Sequence, residues 1–216
     1  MTDFEIKGIL GSVSDRLRNI AERIHPDVFL EFIDYVHNMN NQLSVDSDSE
    51  QKREFAELAA NGSIDSFRKI EKILSNADLS KGIRDFGIVA LNYCRFKIEN
   101  DLLDESVDMI SCGLGGTENK MRCFLALVGK NEITNAQFAY LKQSFDKITR
   151  ERDSILEEAI NFDKYVTLLI LGSFDYAIGE IIDAGIASCE FLKAEYYLTN
   201  VEIPSADQIL RWMASD

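Results

Sequence analysis

Proline and histidine are scarce in this 216-residue sequence, which contains two of each, and no long hydrophobic run is present. The longest apolar stretch, near residues 166–172, is far too short to cross a bilayer. Residues 1–7 lack the basic and apolar segments of a secretory signal peptide. With little proline or glycine and 46% hydrophobic residues, the composition is typical of a globular protein, which we expect in the cytoplasm.

Basic residues are outnumbered by acidic ones, 23 against 37, which gives a formal net charge of −14. The excess lies at the two ends: residues 1–50 hold 10 acids and 4 bases, and residues 151–216 hold 13 acids and 4 bases. Such a surface repels a phosphate backbone and an anionic membrane. The charge therefore predicts a protein partner of basic character, with neither nucleic acid nor membrane as a partner, and it leaves the oligomeric state open.

Groups suited to metal or nucleophilic chemistry are few and scattered. The four cysteines, Cys94, Cys112, Cys123 and Cys189, show no paired spacing, so we expect reduced thiols. Neither histidine is near a cysteine in the sequence. We predict no catalytic residue, no metal and no cofactor, while a Cys–His pair assembled from distant positions stays open.

Apolar residues at helical spacing predict a helical region over residues 1–104. Residues 4–24 carry one apolar stripe, and this helix ends at His25 because the residue before a proline avoids helical backbone angles. Residues 40–50 are acidic and aperiodic and predict a mobile loop. Further helices are expected over residues 27–40, 51–60, 64–75 and 81–99, the last with an apolar face wide enough for a central position.

The pattern changes near residue 105, and residues 105–216 predict an α+β domain. Alternation over residues 106–112 and the apolar run 121–128 predict a β-hairpin around a glycine-rich turn. Thr134 with Gln137, and Ser205 with Gln208, have the spacing of capping boxes that begin helices. The predicted order is ββαβαβα, a small mixed sheet covered by helices: a helix from residue 134 through Ala159, a strand over 165–171, a helix over 175–191, a strand over 195–201 and a final helix containing Trp212.

One segment carries a family resemblance. Residues 110–116, Ile-Ser-Cys-Gly-Leu-Gly-Gly, follow a helix that ends near residues 104–105 and precede Asn-Lys-Met-Arg-Cys-Phe at residues 119–124. This combination resembles a family of uncharacterised bacterial proteins, from about residue 60 to the C-terminal helix. The resemblance implies a cytoplasmic bacterial protein with a shared Gly-Leu-Gly-Gly hairpin, and it implies no reaction.

The glycine-rich turn is the candidate ligand-binding site. Gly113, Gly115 and Gly116 permit backbone angles that expose N–H groups, and Lys120 and Arg122 add positive charge, so the turn could hold an anion. The spacing matches neither a P-loop nor a dinucleotide-binding loop. The alternative is that the glycines only shape the turn, which is the commoner role of clustered glycines.

Three classes of function stay open. Acidic residues from Asp46 to Glu57 have calcium-loop spacing, but Gln51 stands where that loop needs glycine, and Asp175 fits a helix cap better than a metal or ribose ligand. With no catalytic motif, a non-enzymatic interaction or scaffold protein is the favoured hypothesis. The alternatives are a small-molecule or anion binder that uses the glycine turn, and an enzyme whose site is assembled from scattered acids. A pocket with convergent polar groups would favour the alternatives.

Overall fold

A computed structural model describes residues 17–38, 47–103, 108–117 and 119–214. The chain forms two compact units. The helical unit is Ile24–Ser111, and the sheet unit joins the residues before Ile24 to Cys112–Asp216. The sequence pattern instead predicts a boundary at residue 104, with everything before it in the helical part.

The helical unit is built around one long helix. Its elements are α1 (Pro26–His37), α2 (Ser47–Asn61), α3 (Ile64–Leu74), α4 (Lys81–Leu103) and the short strand β2 (Asp108–Ile110). Helix α4 packs against α1, α2 and α3, which confirms its predicted central position. The fully buried Phe32 of α1 makes edge-to-face contacts with Phe86 and Tyr93 of α4, with ring centroids 5.4 and 5.3 Å apart. Aromatic pairs of this geometry stabilise a core beyond their buried area.

The sheet unit contains the remaining described elements. They are β1 (Leu17–Asn19), β3 (Gly116–Thr117), β4 (Lys120–Gly129), α5 (Asn135–Arg150), β5 (Ile155–Asn161), β6 (Tyr165–Ser173), α6 (Ile178–Ser188), β7 (Leu192–Thr199) and α7 (Ala206–Met213). Both predicted capping boxes are confirmed, at Thr134 before α5 and at Ser205 before α7. In each box the cap hydroxyl accepts the N–H of the residue three positions later, which fixes where the helix begins.

The main sheet is antiparallel at every described pairing. Its order is β7-β4-β6-β5, and the two-residue strand β3 pairs with the beginning of β4. From β4 to β7 the chain runs strand, helix, strand, strand, helix, strand, which is the β-α-β-β-α-β arrangement of ferredoxin-like folds. The predicted α+β class is confirmed.

The two faces of this sheet carry separate cores. One face, with Leu125 and Leu127 of β4, packs against α5 and α6 through residues such as Phe145 and Ile182. The opposite face packs against α7, where Phe124, Ala126, Tyr165, Leu169 and Ile209 cluster. Side chains of consecutive strand residues point to opposite faces of a sheet, so neighbouring residues of β4 contribute in turn to one core and then to the other.

The predicted mixed sheet is wrong because strand β5 was missed. Ile155 and Ala159 continue the apolar spacing of α5, and the sequence pattern therefore extends that helix through them. In the structure α5 ends at Arg150, and Asp153 takes a left-handed φ of 45° in the turn that follows. Without β5, β4 and β6 would be joined by one helix and would run parallel; the additional strand reverses β6 and makes the sheet antiparallel.

The predicted hairpin is wrong in its first strand. Among the described residues, the partners of β4 are β3, β6 and β7, so residues 108–112 do not pair with residues 121–128, while residues 106 and 107 lie outside the described part of the chain. A shorter hairpin lies inside the predicted glycine turn, where Thr117 of β3 is opposite Lys120 of β4. The chain therefore reverses between Thr117 and Lys120, after the glycines, and Gly116 itself lies in β3.

The predicted N-terminal helix is also wrong in its described part. Residues 17–19 form β1 and no helix covers residues 17–25, while residues 4–16 lie outside the described part of the chain. The Ala21 carbonyl accepts the Gly116 N–H at 3.0 Å, and the buried Asn19 side chain donates to the Lys120 carbonyl at 3.2 Å. These tertiary hydrogen bonds replace the helical ones that local spacing favours. Most of the predicted 40–50 loop lies outside the described residues, and its last part is helical because α2 begins at Ser47.

Replacement of Gly185 with alanine should destabilise the sheet unit, because the added Cβ would overlap the ring of the buried Phe145. Overpacking of a filled core costs about 1–3 kcal/mol in the free energy of unfolding. Gly179 is the matched control, since it lies in the same helix and nothing is within 4 Å of its Cβ position. Gly179→Ala should be neutral or stabilising by up to about 1 kcal/mol. Urea denaturation measures both, and equal stabilities would contradict the close packing of α5 on α6.

Candidate functional site

The glycine-rich turn takes a backbone shape that only glycine accommodates well. Gly115 and Gly116 have φ values of 65° and 158°. At Gly113 a Cβ atom would overlap the Val201 carbonyl, and at Gly115 it would overlap the Ala21 carbonyl. Glycine is therefore required here for positive φ and for the close approach of neighbouring backbone.

The amides of this turn donate to carbonyl groups of the protein. Leu114 N–H donates to Asn200 O, Gly115 N–H to Cys112 O, and Gly116 N–H to Ala21 O, each at 3.0 Å. An anion-binding concavity requires several backbone N–H groups that point at the ligand. These three instead connect the turn to the chain before and after it.

Both cations of the predicted anion site contact carboxylates. Lys120 Nζ lies 2.8 Å from Asp153 Oδ1. Arg122 forms a two-pronged pair with Glu157, with Nε 2.7 Å from Oε2 and a terminal nitrogen 3.1 Å from Oε1. The hydrogen bond from Arg122 to Glu157 raises the pKa of the Arg122 guanidinium. The five predicted residues do lie together, but the amides of Gly115 and Gly116 and the charges of Lys120 and Arg122 are engaged within the protein. Anion binding stays a prediction.

A cavity of about 130 Å³ lies on the α7 face of the sheet, beside β5 and β6. We call it the α7 cavity, or the recess. Its buried walls include Phe124, Leu168 and Leu169 from the strands and Ile209 from α7. The capping box at Ser205 fixes the first turn of α7, which places Ala206 and Ile209 in the cavity wall. An edge-to-face contact between Trp212 and Tyr197, 5.8 Å between ring centroids, holds the other end of this helix on the sheet.

Few polar groups line the cavity. Among the described lining residues, the charged one is Glu158, and those with a hydroxyl group are Thr167 and Tyr165. Burial raises the pKa of the Tyr165 hydroxyl, so this group stays neutral at physiological pH. Thr167 is paired across the strands with Ile160, which also lines the cavity. The arrangement is an apolar recess with one carboxylate among its walls.

Exposed apolar side chains belong to the same recess. Ile160, Phe162 and Ile203 line the cavity and are 41%, 44% and 48% exposed. The Phe162 ring stacks on Tyr165 with centroids 4.8 Å apart, which fixes its orientation. Large apolar side chains grouped around a concavity are typical of a binding surface rather than of solvent-facing positions.

The cysteines and the potential metal ligands are scattered over the described residues. All four cysteines are free and buried, and burial raises the pKa of the Cys123 thiol to about 12. Among the described residues, no group of three histidine, cysteine, aspartate or glutamate side chains could hold a metal ion. Within those same residues, no helix is long and apolar enough to cross a membrane.

Comparisons with known proteins give distant structural neighbours and nothing more specific. No protein-family model and no curated protein matches the chain. One similar solved structure is a proposed transposase from Deinococcus radiodurans R1, with 14% identity, a TM-score of 0.40, and a match over 44% of this chain and 90% of that one. Another is a REP-associated tyrosine transposase bound to a REP hairpin, with 12% identity, a TM-score of 0.30, and 44% and 62% covered. At such values the likeness assigns no activity to this chain.

Sequence reasoning missed Glu158, Ile160, Phe162 and Ile203 as candidate site residues. The positions of Glu158, Ile160 and Phe162 depend on β5, which the helical spacing of Ile155 and Ala159 concealed, whereas Ile203 lies in the segment before α7. One signal was available: Asn161 and Asp163 separate two apolar runs, which is typical of a β-hairpin. Asp163 indeed has a positive φ of 63° in the turn between β5 and β6.

Gly115→Ala should destabilise the sheet unit by about 2 kcal/mol or more, because alanine resists the left-handed φ and its Cβ overlaps the Ala21 carbonyl. Gly172→Ala is the control in the same unit, since its Cβ would meet its nearest neighbours at an ordinary 3.6 and 3.8 Å. Thermal unfolding followed by circular dichroism compares the two variants. Equal melting temperatures would contradict the structural role assigned to Gly115.

Proposed function

We propose that this protein is a non-enzymatic interaction protein whose sheet unit binds a basic partner protein. The α7 cavity would receive one apolar side chain of the partner, and Glu158 would face a lysine or arginine close to it. The observation that carries the proposal is the apolar recess with three exposed apolar side chains and one carboxylate in its lining.

The size of the cavity favours a side chain over a metabolite. Pockets for small-molecule ligands are about 300–1,000 Å³, more than twice the volume found here. A dry cavity of about 150 Å³ holds one benzene ring, so about 130 Å³ matches a single aromatic or branched aliphatic group. Anchor side chains that fill such recesses dominate the binding energy of many protein interfaces.

The charge of the sheet unit favours a basic partner. Glu157 is held by Arg122, whereas no ion pair of the neighbouring Glu158 occurs among the described residues. Exposed carboxylates contribute little affinity, but they raise the association rate of a cationic partner and repel an acidic one. We therefore expect binding to weaken as salt screens these charges, with a Debye length of about 8 Å at physiological ionic strength.

Selection of random peptides displayed on phage against the full chain tests the proposal. Enriched sequences should place an aromatic or branched aliphatic residue close to lysine or arginine. Their affinity should fall at least about tenfold in Phe162→Ala and Ile203→Ala, because each variant removes an apolar wall of the recess without changing the charge. Fluorescence anisotropy with the enriched peptides measures these affinities.

Tyr140→Ala is the matched control, since Tyr140 is 52% exposed and lies on α5, on the other face of the sheet. This variant should bind as tightly as the wild type. Enrichment of acidic peptides, or equal affinity of the wild type and the two recess variants, would refute the proposal. Turnover of a substrate that one Asp or Glu substitution abolishes would refute the non-enzymatic part.

A further inference from the structure

Strand β5 forms one edge of the main sheet. Among the described residues, β6 is its only strand partner, so its other side presents backbone N–H and C=O groups. Edge strands are commonly protected by proline, by charged side chains (lysine above all) or by a bulge. β5 has neither proline nor lysine, and its bulge is confined to the stretch between Leu156 and Glu158. Residues 158–161 are therefore a regular edge protected by one charge, that of Glu158, which repels acidic segments and attracts basic ones.

This edge is next to the cavity. Glu158 and Ile160 belong to the regular part of β5, and both line the recess. Side chains two residues apart point to the same face of a strand. A chain paired with residues 158–161 would thus direct alternate side chains toward the same recess, one beside Glu158 and the next beside Ile160.

The charge of β5 indicates whether its free edge pairs with a segment of another protein or with a second copy of this chain. β5 contains Glu157 and Glu158 and no basic residue, so another β5 cannot supply a cation for Glu158. A second copy also carries the same net charge of −14, which opposes close pairing. A basic extended segment of a different protein has the complementary charge.

We infer that the partner binds by strand addition: a basic extended segment pairs with residues 158–161 of β5 and inserts one apolar side chain into the α7 cavity. This inference rests on the proposed function and specifies the form of the partner. Backbone hydrogen bonds to the edge would supply affinity, and the recess with Glu158 would supply selectivity, as in other cases of strand addition.

A designed heptapeptide, acetyl-Thr-Lys-Thr-Leu-Thr-Lys-Thr-amide, is the probe. Its Lys, Leu and Lys side chains share one face when the peptide is extended, and threonine favours strands. In an added strand, every second amide of the peptide faces β5 and the remaining amides face away from it. N-methylation of the amides that face β5 should weaken binding at least about tenfold, since several backbone hydrogen bonds are lost. N-methylation of the amides that face away should change the affinity less than about threefold. Amide exchange measured by NMR should slow in β5 when the peptide binds.

Glu158→Gln should weaken binding about twofold to fivefold and reduce its salt dependence, whereas Glu195→Gln, at an exposed position of β7, should change neither. Equal effects of the two N-methylated sets, with binding still weakened in Phe162→Ala, would overturn strand addition and leave the cavity proposal intact. Failure of the heptapeptide to bind, while phage-selected peptides bind the recess, would likewise overturn strand addition alone. A dimer of the free chain with slowly exchanging β5 amides would show that the edge pairs with a second copy and would also overturn the inference.

Discussion

The pairing of β4 with β6 is the constraint on which the sheet unit depends. Nine consecutive residue pairs align the two strands, from Lys120 opposite Ser173 to Val128 opposite Tyr165. Residues of β6 are buried along its whole length, and β4 is buried from Cys123 onward. A slip of one residue would exchange the side chains of the two cores, so burial on both faces fixes the register.

The cavity exists because helices cover the two faces of the main sheet to different extents. Helices of 16 and 11 residues pack on one face, whereas the described cover of the other face includes one helix of 8 residues. At 1.5 Å per residue α7 is about 12 Å long, while β6 with its nine residues is about 30 Å long. Because α7 is fixed over Phe124 and Tyr197, the part of the sheet at β5 keeps apolar residues that none of the described helices covers.

The sequence predicted elements where local signals and packing agree. The capping boxes at Thr134 and Ser205, the buried strand β6 and the central helix α4 all combine a local signal with a matching apolar pattern. The prediction missed β5 because Ile155 and Ala159 fit the period of a helix as well as the pattern of a half-buried edge strand. In addition, the left-handed turn at Asp153, which ends the helix region, has no strong signal in the sequence. The N-terminal segment failed because hydrogen bonds to Gly116 and Lys120, about a hundred residues away, outweigh its local preference.

The candidate site was less predictable than the fold for the same physical reason. Clustered glycines are conspicuous in a sequence, but a turn that meets neighbouring carbonyls needs them whether or not it binds anything. The recess, by contrast, combines β5, the Phe162 turn, the segment before α7 and α7 itself, none of which is unusual alone. A site of this kind is a property of the assembled sheet, so it can be found only after the strand order is known.

A partner bound through one anchor side chain and four strand residues would bury far less surface than a stable interface, which covers about 1,200–2,000 Å². Such a complex would be weak and would form and dissociate quickly. Long-range attraction then matters more than contact area, because charge raises the encounter rate even where each exposed ion pair adds little affinity. Residues 151–216 contain 13 acids and 4 bases. In a transient interaction this acidic excess would attract basic segments at a distance, and the fit of a side chain in the recess would then determine which of them stay bound.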